Sequence, residues 1–537
     1  MRLNDKSLAD KSQWEKAGIT LPAFDRAAMI AATGKTPEWV HFGAGNIFRA
    51  FPAALQQALL EKGSVQTGIV VAEGYDYEII DTLFAPHDNL TLLVTLKADG
   101  STEKKVIAGV AEALKADCGD KDFDRLEEVF RSPSLQMASF TITEKGYNLT
   151  ASGGASVPGV EEDFKNGPAA PVSYMGKVAA LMHRRYLAGA LPIALVSMDN
   201  CSHNGDRLRD AVLAFARKWR ENGRADAGFV SYLEESAKVG FPWSMIDKIT
   251  PRPDDSVKAM LADAGFEGAE GRMTALGTYI APFVNAEETQ YLVIENTFPN
   301  GRPPLEKVGV IFTDRETVDK VEKMKVCTCL NPLHTALAIF GCLLGYKLIN
   351  EEMKNPSLLR LIEIIGYKEG LPVVVDPGIL SPKEFIDNVI KVRLPNPFMP
   401  DAPQRIATDT SQKIPVRFGE TIKAYIATNN LYVDDLKLIP LVFAGWLRYL
   451  LGIDDEGKPF VVSPDPQYES LSAALSGIRL GQSGPFHKKL KPILSNPSLF
   501  GINLYDTVLG ERVERYFEEL LAGSGAVAKT LKKYTAS

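Results

Sequence analysis

The sequence predicts an α/β protein: a domain built on a mostly parallel β-sheet, followed by a mainly α-helical domain. Three observations point there. Apolar strand-like runs alternate with helical patterns through roughly the first 200 residues. The first strand and helix are joined by a glycine-rich turn, HFGAGNIFRAF at 41–51, and beyond about residue 300 the periodicity is helical almost throughout.

Taken in order, 38–42 is a short apolar strand, 47–61 has the helical spacing of Phe48, Phe51, Leu55 and Leu59, and 68–72 (GIVVA) is a buried strand. Apolar runs at 92–96 (LLVTL), 137–142 (MASFTI) and 193–198 (IALVSM) extend the sheet, with helices such as 175–187 between them. The stretch 150–171, rich in Gly, Ala, Ser and Pro, reads as a surface loop. Helical patterns then cover 315–353, 357–366, 383–391, 419–452, 467–479 and 506–534, with proline-rich connections at 395–403 and 463–466. The change of texture near Gly301–Pro304 divides the chain into 1–302 and 303–537. No internal repeat is visible.

The 537 residues suffice for two or three domains, and a 45% hydrophobic content fills real cores. A net charge of −7 argues against nucleic acid or an anionic membrane as partner and leaves a small molecule as the expected ligand. Five cysteines without a CxxC pair do not make a secreted disulfide framework, so a reducing cytoplasm is expected. The charged N-terminal stretch has no apolar signal core, and the longest uncharged apolar run, about 335–346, is too short for a bilayer. Neither targeting nor membrane insertion is expected, and without HxxxH, HExxH or a His/Cys cluster no metal is expected either.

The glycine turn suits a dinucleotide. In a Rossmann-like unit the first glycine makes the tight turn, the second lets the pyrophosphate approach the backbone, and the following helix offers unpaired N–H groups to the anion. Gly43 and Gly45 fit, and Asn46, Ile47 and Phe48 form the helix start; Phe48 stands where a third glycine is usual. Glu73 ends the second strand, where a carboxylate can accept both ribose hydroxyls and repel a 2′-phosphate, so NAD is favoured over NADP. The plain alternative is a strand-turn-helix with an acidic loop.

The second chemical feature lies in MKVCTCLNPLHTALAIFGCLLGY. Lys325 can give or take a proton, the Asn331 amide can hold an oxygen and the His334 imidazole can orient a hydroxyl, all within ten residues. Paired with a dinucleotide, this is carbonyl/alcohol chemistry by hydride transfer.

Seven blocks in order, HFGAGNIFRAF (41–51), TITEKGYN (141–148), VSMDNCSHNG (196–205), FPWSMIDKITP (241–251), IENTFPNGRPP (294–304), KVCTCLNPLHTALA (325–338) and RIATDTSQKIP (405–415), make the chain resemble the mannitol dehydrogenase family of polyol-specific long-chain dehydrogenases and reductases. The resemblance implies a Rossmann-like domain, a helical domain, a site between them and metal-independent hydride transfer. It assigns the catalytic lysine to Lys325, its amide and imidazole to Asn331 and His334, and a second oxyanion amide to Asn200. It places Asp247, Arg405 and Lys413 at the substrate. Without it, Asp247 reads as a partner of nearby backbone or Lys248, and Arg405 and Lys413 as solvated charges. TEKGY at 143–147 is similar to the family's hexuronate reductases, whereas its polyol enzymes tend to carry glycine at the position of Lys145, and the resemblance implies that this lysine can pair with a sugar-acid carboxylate; Arg405 offers the stronger fork.

One departure has a structural consequence. The family places its lysine five residues before the asparagine, whereas Lys325 precedes Asn331 by six. On a regular helix at about 100° per residue this sets His334 opposite Lys325. A π-bulge between Val326 and Asn331 would absorb the residue, helped by Pro332, which has no N–H for the carbonyl of Thr328. The competing Lys323 shares His334's face but starts about 16 Å along the axis at about 1.5 Å per residue, so Lys325 is preferred.

The expected reaction is therefore NAD-dependent interconversion of a keto-hexuronate, fructuronate or tagaturonate, with mannonate or altronate. A polyol (mannitol-type) 2-dehydrogenase, a sugar-acid epimerase that uses bound NAD transiently, and a non-catalytic NAD-binding protein are the alternatives. His41 reads as a packed strand residue and His203 as a loop histidine; Cys327 and Cys329 read as small core residues without a redox role.

Overall fold

The computed structural model describes residues 1–151, 153–253 and 255–536. It divides into two compact units, Met1–Lys97 with Ser101–Asp319, and Lys320–Ser537 with 98–100. The division falls after Asp319 rather than at 302/303, because strand Ile311–Thr313 pairs with Tyr291–Glu295 and so stays with the first unit.

Six parallel strands form the main sheet of the first unit: β1 (Trp39–Phe42), β2 (Ile69–Glu73), β3 (Val110–Lys115), β4 (Met137–Phe140), β5 (Ile193–Ser197) and β6 (Val239–Gly240), in the spatial order 3-2-1-4-5-6. That is the doubly wound dinucleotide-binding order, with its crevice where the order reverses, beside β1 and β4. Trp39 registers with Ile69 on one side and Met137 on the other. Successive residues face opposite sides: Val40, Phe42, Val70, Ala72, Ala138 and Phe140 join one core, and Trp39, Ile69, Val71 and Met137 the other. Both faces are buried, which is why these strands read as unbroken apolar runs.

Several expectations are corrected. The run Thr91–Leu96 belongs to a separate mixed sheet with Ile19–Thr20, Thr102–Ile107 and Phe283–Glu287. The helix expected at 47–61 is two, α1 (Asn46–Ala50) and α2 (Pro52–Glu61), because Pro52 has no N–H to continue the first and Phe51 leaves helical geometry. The expected loop 150–171 contains a helix, Val160–Asn166, anchored by buried Asp163, which accepts the N–H groups of Val172 and Ser173. The expected 419–452 helix is likewise two, and Glu369 caps the second by accepting the N–H groups of Lys437, Leu438 and Ile439.

The second unit is helical. Helix α3 (Arg315–Met324), which begins in the first unit, leads through Lys325–Cys329 into α4 (Asn331–Leu343), whose apolar face packs on Leu438–Tyr449. The run 315–343 is long and apolar enough to cross a membrane by length and composition, but most of its apolar stretch is buried inside the protein.

Candidate active site

In the first unit the turn after β1 is built around Gly43. Its φ of +99° favours glycine, and a Cβ there would sit 2.3 Å from the Thr141 carbonyl oxygen. A Cβ on Gly45 would meet nothing within 4 Å, so open space lies over the start of α1, as close approach by a pyrophosphate requires. Arg49, buried in α1, donates to the Thr91 hydroxyl at 3.1 Å, the Ala281 carbonyl at 2.9 Å and Asn46 Oδ1 at 3.5 Å, fixing the helix against the mixed sheet. Phe48 fills the third-glycine position by stacking on His41, with ring centres 4.4 Å apart. His41 itself bonds Ser139 and Thr141, and complete burial lowers its pKa to about 3.

Glu73 has a part that the sequence reading did not contain. One carboxylate oxygen accepts the Ala44 N–H at 2.9 Å, and the other accepts those of Tyr75 and Asp76 at 2.9 and 3.3 Å. It braces the glycine turn to the turn after β2 and keeps about one of roughly four acceptor positions for a ligand. Burial raises its pKa, and the three N–H bonds and the neighbouring Asp76 charge act after that.

Lys145 lies in the short helix Thr143–Gly146 after β4, Asn200 in the loop after β5, and Asp247 at the end of strand Ser244–Asp247, which pairs with Tyr291–Glu295 in a separate three-stranded sheet. Two residues missed by the sequence reading hold those loops together. Asp199 accepts the N–H groups of Ile142 and Thr143, both at 2.9 Å, and the Tyr147 hydroxyl at 2.6 Å. Buried Asn204 donates to the carbonyls of Asp199 and Ser244 and accepts the Ser244 N–H, each at 3.0 Å. Lys145 and Asn200 are exposed, whereas Asp247 is buried at the end of its strand. His203 is the exposed loop histidine expected, stacked on Trp243 at 4.1 Å.

In the second unit the extra residue is absorbed where expected. Lys325–Cys329 is a π-turn, closed by the Leu330 N–H donating to the Lys325 carbonyl at 3.1 Å, an i→i+5 bond. Leu330 leaves helical geometry, Pro332 follows in the first turn of α4, and the His334 N–H returns to the Leu330 carbonyl at 3.0 Å. One residue taken into a wide turn rotates Asn331 and His334 back by about 100° toward the face of Lys325. The Lys325 side chain is buried at 3% exposure, and the Thr335 hydroxyl donates to the Asn331 carbonyl at 2.8 Å.

Cationic side chains surround His334. Its Nε2 lies 3.6 Å from Asp401 Oδ2 and makes no hydrogen bond. Burial lowers its pKa, opposed by Asp401 and helped by Arg417, Arg405 and Arg393, so the ring is neutral at pH 7. Arg405 is exposed and donates to Asp401 four residues earlier. Lys413 donates to the carbonyls of Ile406 and Thr408, which ties down that loop. Arg417 donates from Nη1 to the Thr335 hydroxyl at 2.5 Å. Asp401, Arg393 and Arg417 were not legible as site residues; the faint signal was a basic residue inside the apolar stretch IPVRFG. Among the described residues no three His, Cys, Asp or Glu side chains gather as metal ligands would.

A dinucleotide-type sheet carrying a glycine turn, followed by a helical unit with a lysine, an amide and an imidazole on one wide-turned helix, defines a class of two-domain dehydrogenase-like proteins. The mannitol dehydrogenase Rossmann domain matches 37–307 and the mannitol dehydrogenase C-terminal domain matches 317–521. The chain belongs to the mannitol dehydrogenase family. It is 55% identical to a D-mannonate oxidoreductase of Thermotoga maritima over 99% of both chains, and 32% identical to a mannitol 2-dehydrogenase of Neosartorya fischeri, again over 99% of both. Among solved structures it resembles Pseudomonas fluorescens mannitol 2-dehydrogenase in ternary complex with NAD and D-mannitol, at 27% identity, TM-score 0.69 and 99% coverage of both chains. It also resembles a substrate-free D-sorbitol dehydrogenase, at 26% identity, TM-score 0.79 and 100% coverage of both.

Proposed function

We propose that this protein is an NAD-dependent oxidoreductase that interconverts a keto-hexuronate, fructuronate or tagaturonate, with its aldonate. The observation that carries the reading is the set of cations around the Lys325 helix: Arg393, Arg405, Arg417 and Lys413, with Asp401 already engaged by Arg405. Such surroundings suit an acidic substrate better than a neutral polyol. The 55% identity to a D-mannonate oxidoreductase supports the same class.

The turn at Gly43–Phe48 and Glu73 would hold the cofactor, which when bound supplies or takes the hydride. As the ketone is reduced, negative charge grows on its oxygen. The Lys325 ammonium donates a proton there and is left as a neutral amine, while the amide N–H groups of Asn331 stabilise the charge; Asn200 is assigned the same part by the family resemblance alone. In the oxidative direction a neutral lysine takes the hydroxyl proton. Neutral His334 orients a substrate hydroxyl. Asp247, Arg405, Lys413 and Lys145 are assigned to the remainder of the substrate. The five free cysteines fit a reducing cytoplasm.

Absorbance at 340 nm with NADH and a panel of fructuronate, tagaturonate and fructose tests the reading. Net NADH consumption with a keto acid is expected. Equal efficiency with fructose favours a polyol dehydrogenase, the reading to which the likeness to mannitol and sorbitol dehydrogenase structures also leans. Product formation without NADH consumption means an epimerase.

A further inference from the structure

We propose that Arg417 is the residue that receives the substrate carboxylate. The proposal rests on the hexuronate reading and names the contact that reading needs. Arg417 lies in a second π-turn, Pro415–Gly419, which packs against the Lys325 turn. Arg417 is half-buried, and among the described residues its guanidinium makes one hydrogen bond, to the neutral hydroxyl of Thr335. No carboxylate offsets its burial, which pushes its pKa down to about 10.

The fully buried arginines of this chain behave differently. Arg185 fills its fork with the carbonyls of Phe130, Ser132, Leu135, Leu191 and Pro192. Arg448 donates to the Ile453 and Asp454 carbonyls, and Arg49 to three acceptors. Those are structural ties. Arg417 leaves most of its five donors open to a ligand in a site that also contains Arg393, Arg405 and Lys413. A planar two-oxygen anion matches that fork. Arg405, the fork suggested by the sequence, is solvent-exposed and engaged with Asp401.

The spacing also agrees. In an open-chain keto-hexuronate the ketone and carboxyl carbons are four bonds apart, about 5 Å when extended with C–C bonds near 1.5 Å. From Asn331, assigned to the ketone oxygen, to Thr335, which holds Arg417, the helix rises about 6 Å.

The test compares wild type with Arg417→Met, Arg417→Lys and Arg405→Met, each with NADH, using fructuronate and fructose as paired substrates. Arg417→Met should lower kcat/KM for fructuronate about 10²-fold, mainly through KM, and for fructose by far less. Arg417→Lys, which keeps the charge but not the fork, should fall between. Mannonate should raise the wild-type melting temperature more than mannitol does, and Arg417→Met should lose that difference while its own unliganded melting temperature does not fall. Retention of the acid preference in Arg417→Met, equal loss on both substrates, or transfer of the effect to Arg405→Met overturns the assignment. A wild type that reduces neither fructuronate nor tagaturonate is a separate result: it refutes the hexuronate reading and takes this assignment with it.

Discussion

Replacing His41 with glutamine should remove a defined part of the protein's acid sensitivity. His41 is fully buried between Ser139 and Thr141 and stacked on Phe48, and its pKa falls to about 3. In the unfolded chain the ring titrates near 6.5. The folded pKa is thus below the unfolded one, so the neutral ring's contribution is complete above pH 6.5 and is lost as pH falls, because only the unfolded chain takes the proton. Each pH unit below 6.5 costs about 1.4 kcal/mol, so lowering the pH to 5 should cost about 2 kcal/mol through this residue alone. Urea unfolding of wild type and His41→Gln at pH 7 and pH 5, followed by tryptophan fluorescence, measures the double difference and cancels the other histidines. Wild type should lose about 2 kcal/mol more than the variant. Parallel losses would show that His41 takes up its proton inside the fold and that its two hydroxyl partners do not hold it neutral.

Lys325→Ala should lower turnover by roughly 10²-fold or more with NADH binding nearly intact, while Lys323→Ala should have little effect; single-turnover rates and NADH fluorescence titration separate the two. NADH should be preferred over NADPH, and Glu73→Ser with a nearby arginine should relax that preference; equal kcat/KM for both in the unaltered protein would remove Glu73 from cofactor selection. Gly43→Ala should destabilise the first unit by more than about 1 kcal/mol, since its φ is left-handed and its Cβ would press on Thr141, and should raise KM for NADH. Melting temperature and cofactor titration check it.

The parallel sheet was legible because strands buried on both faces leave apolar runs such as GIVVA, and the glycine turn because its backbone geometry restricts the residue at Gly43. The wide turn at Lys325 was legible too, since an extra residue and Pro332 conflict with a regular helix. Strand partnership was not: LLVTL at 92–96 looks like any buried strand, and what assigns it to the mixed sheet is pairing with residues 283–287, far along the chain. The helix in 160–166 was hidden by the Gly, Ser and Pro around it, and Asp163 settles it through contacts that no local pattern records. Asp199 and Asn204 were missed for the same reason, since each acts by joining two loops distant in sequence. Arg417 carried only a faint sequence signal of its own, because what marks it is its place beside Thr335, 82 residues earlier in the chain.

The π-turns also bear on how such a chain can diversify. Adding one residue to a regular helix turns everything beyond it by about 100°, which would tear a packed core. A turn with an i→i+5 bond accommodates the addition locally and leaves both flanking segments in place. The second unit carries four such turns, Lys325–Cys329, Ile364–Gly370, Val389–Arg393 and Pro415–Gly419, among the described residues. A residue added in one of them is taken up by the turn, so the side chains on either side, Lys325 and Asn331 at the first, keep facing the same way. In such a scaffold the chain can change length without turning away the residues beyond the change.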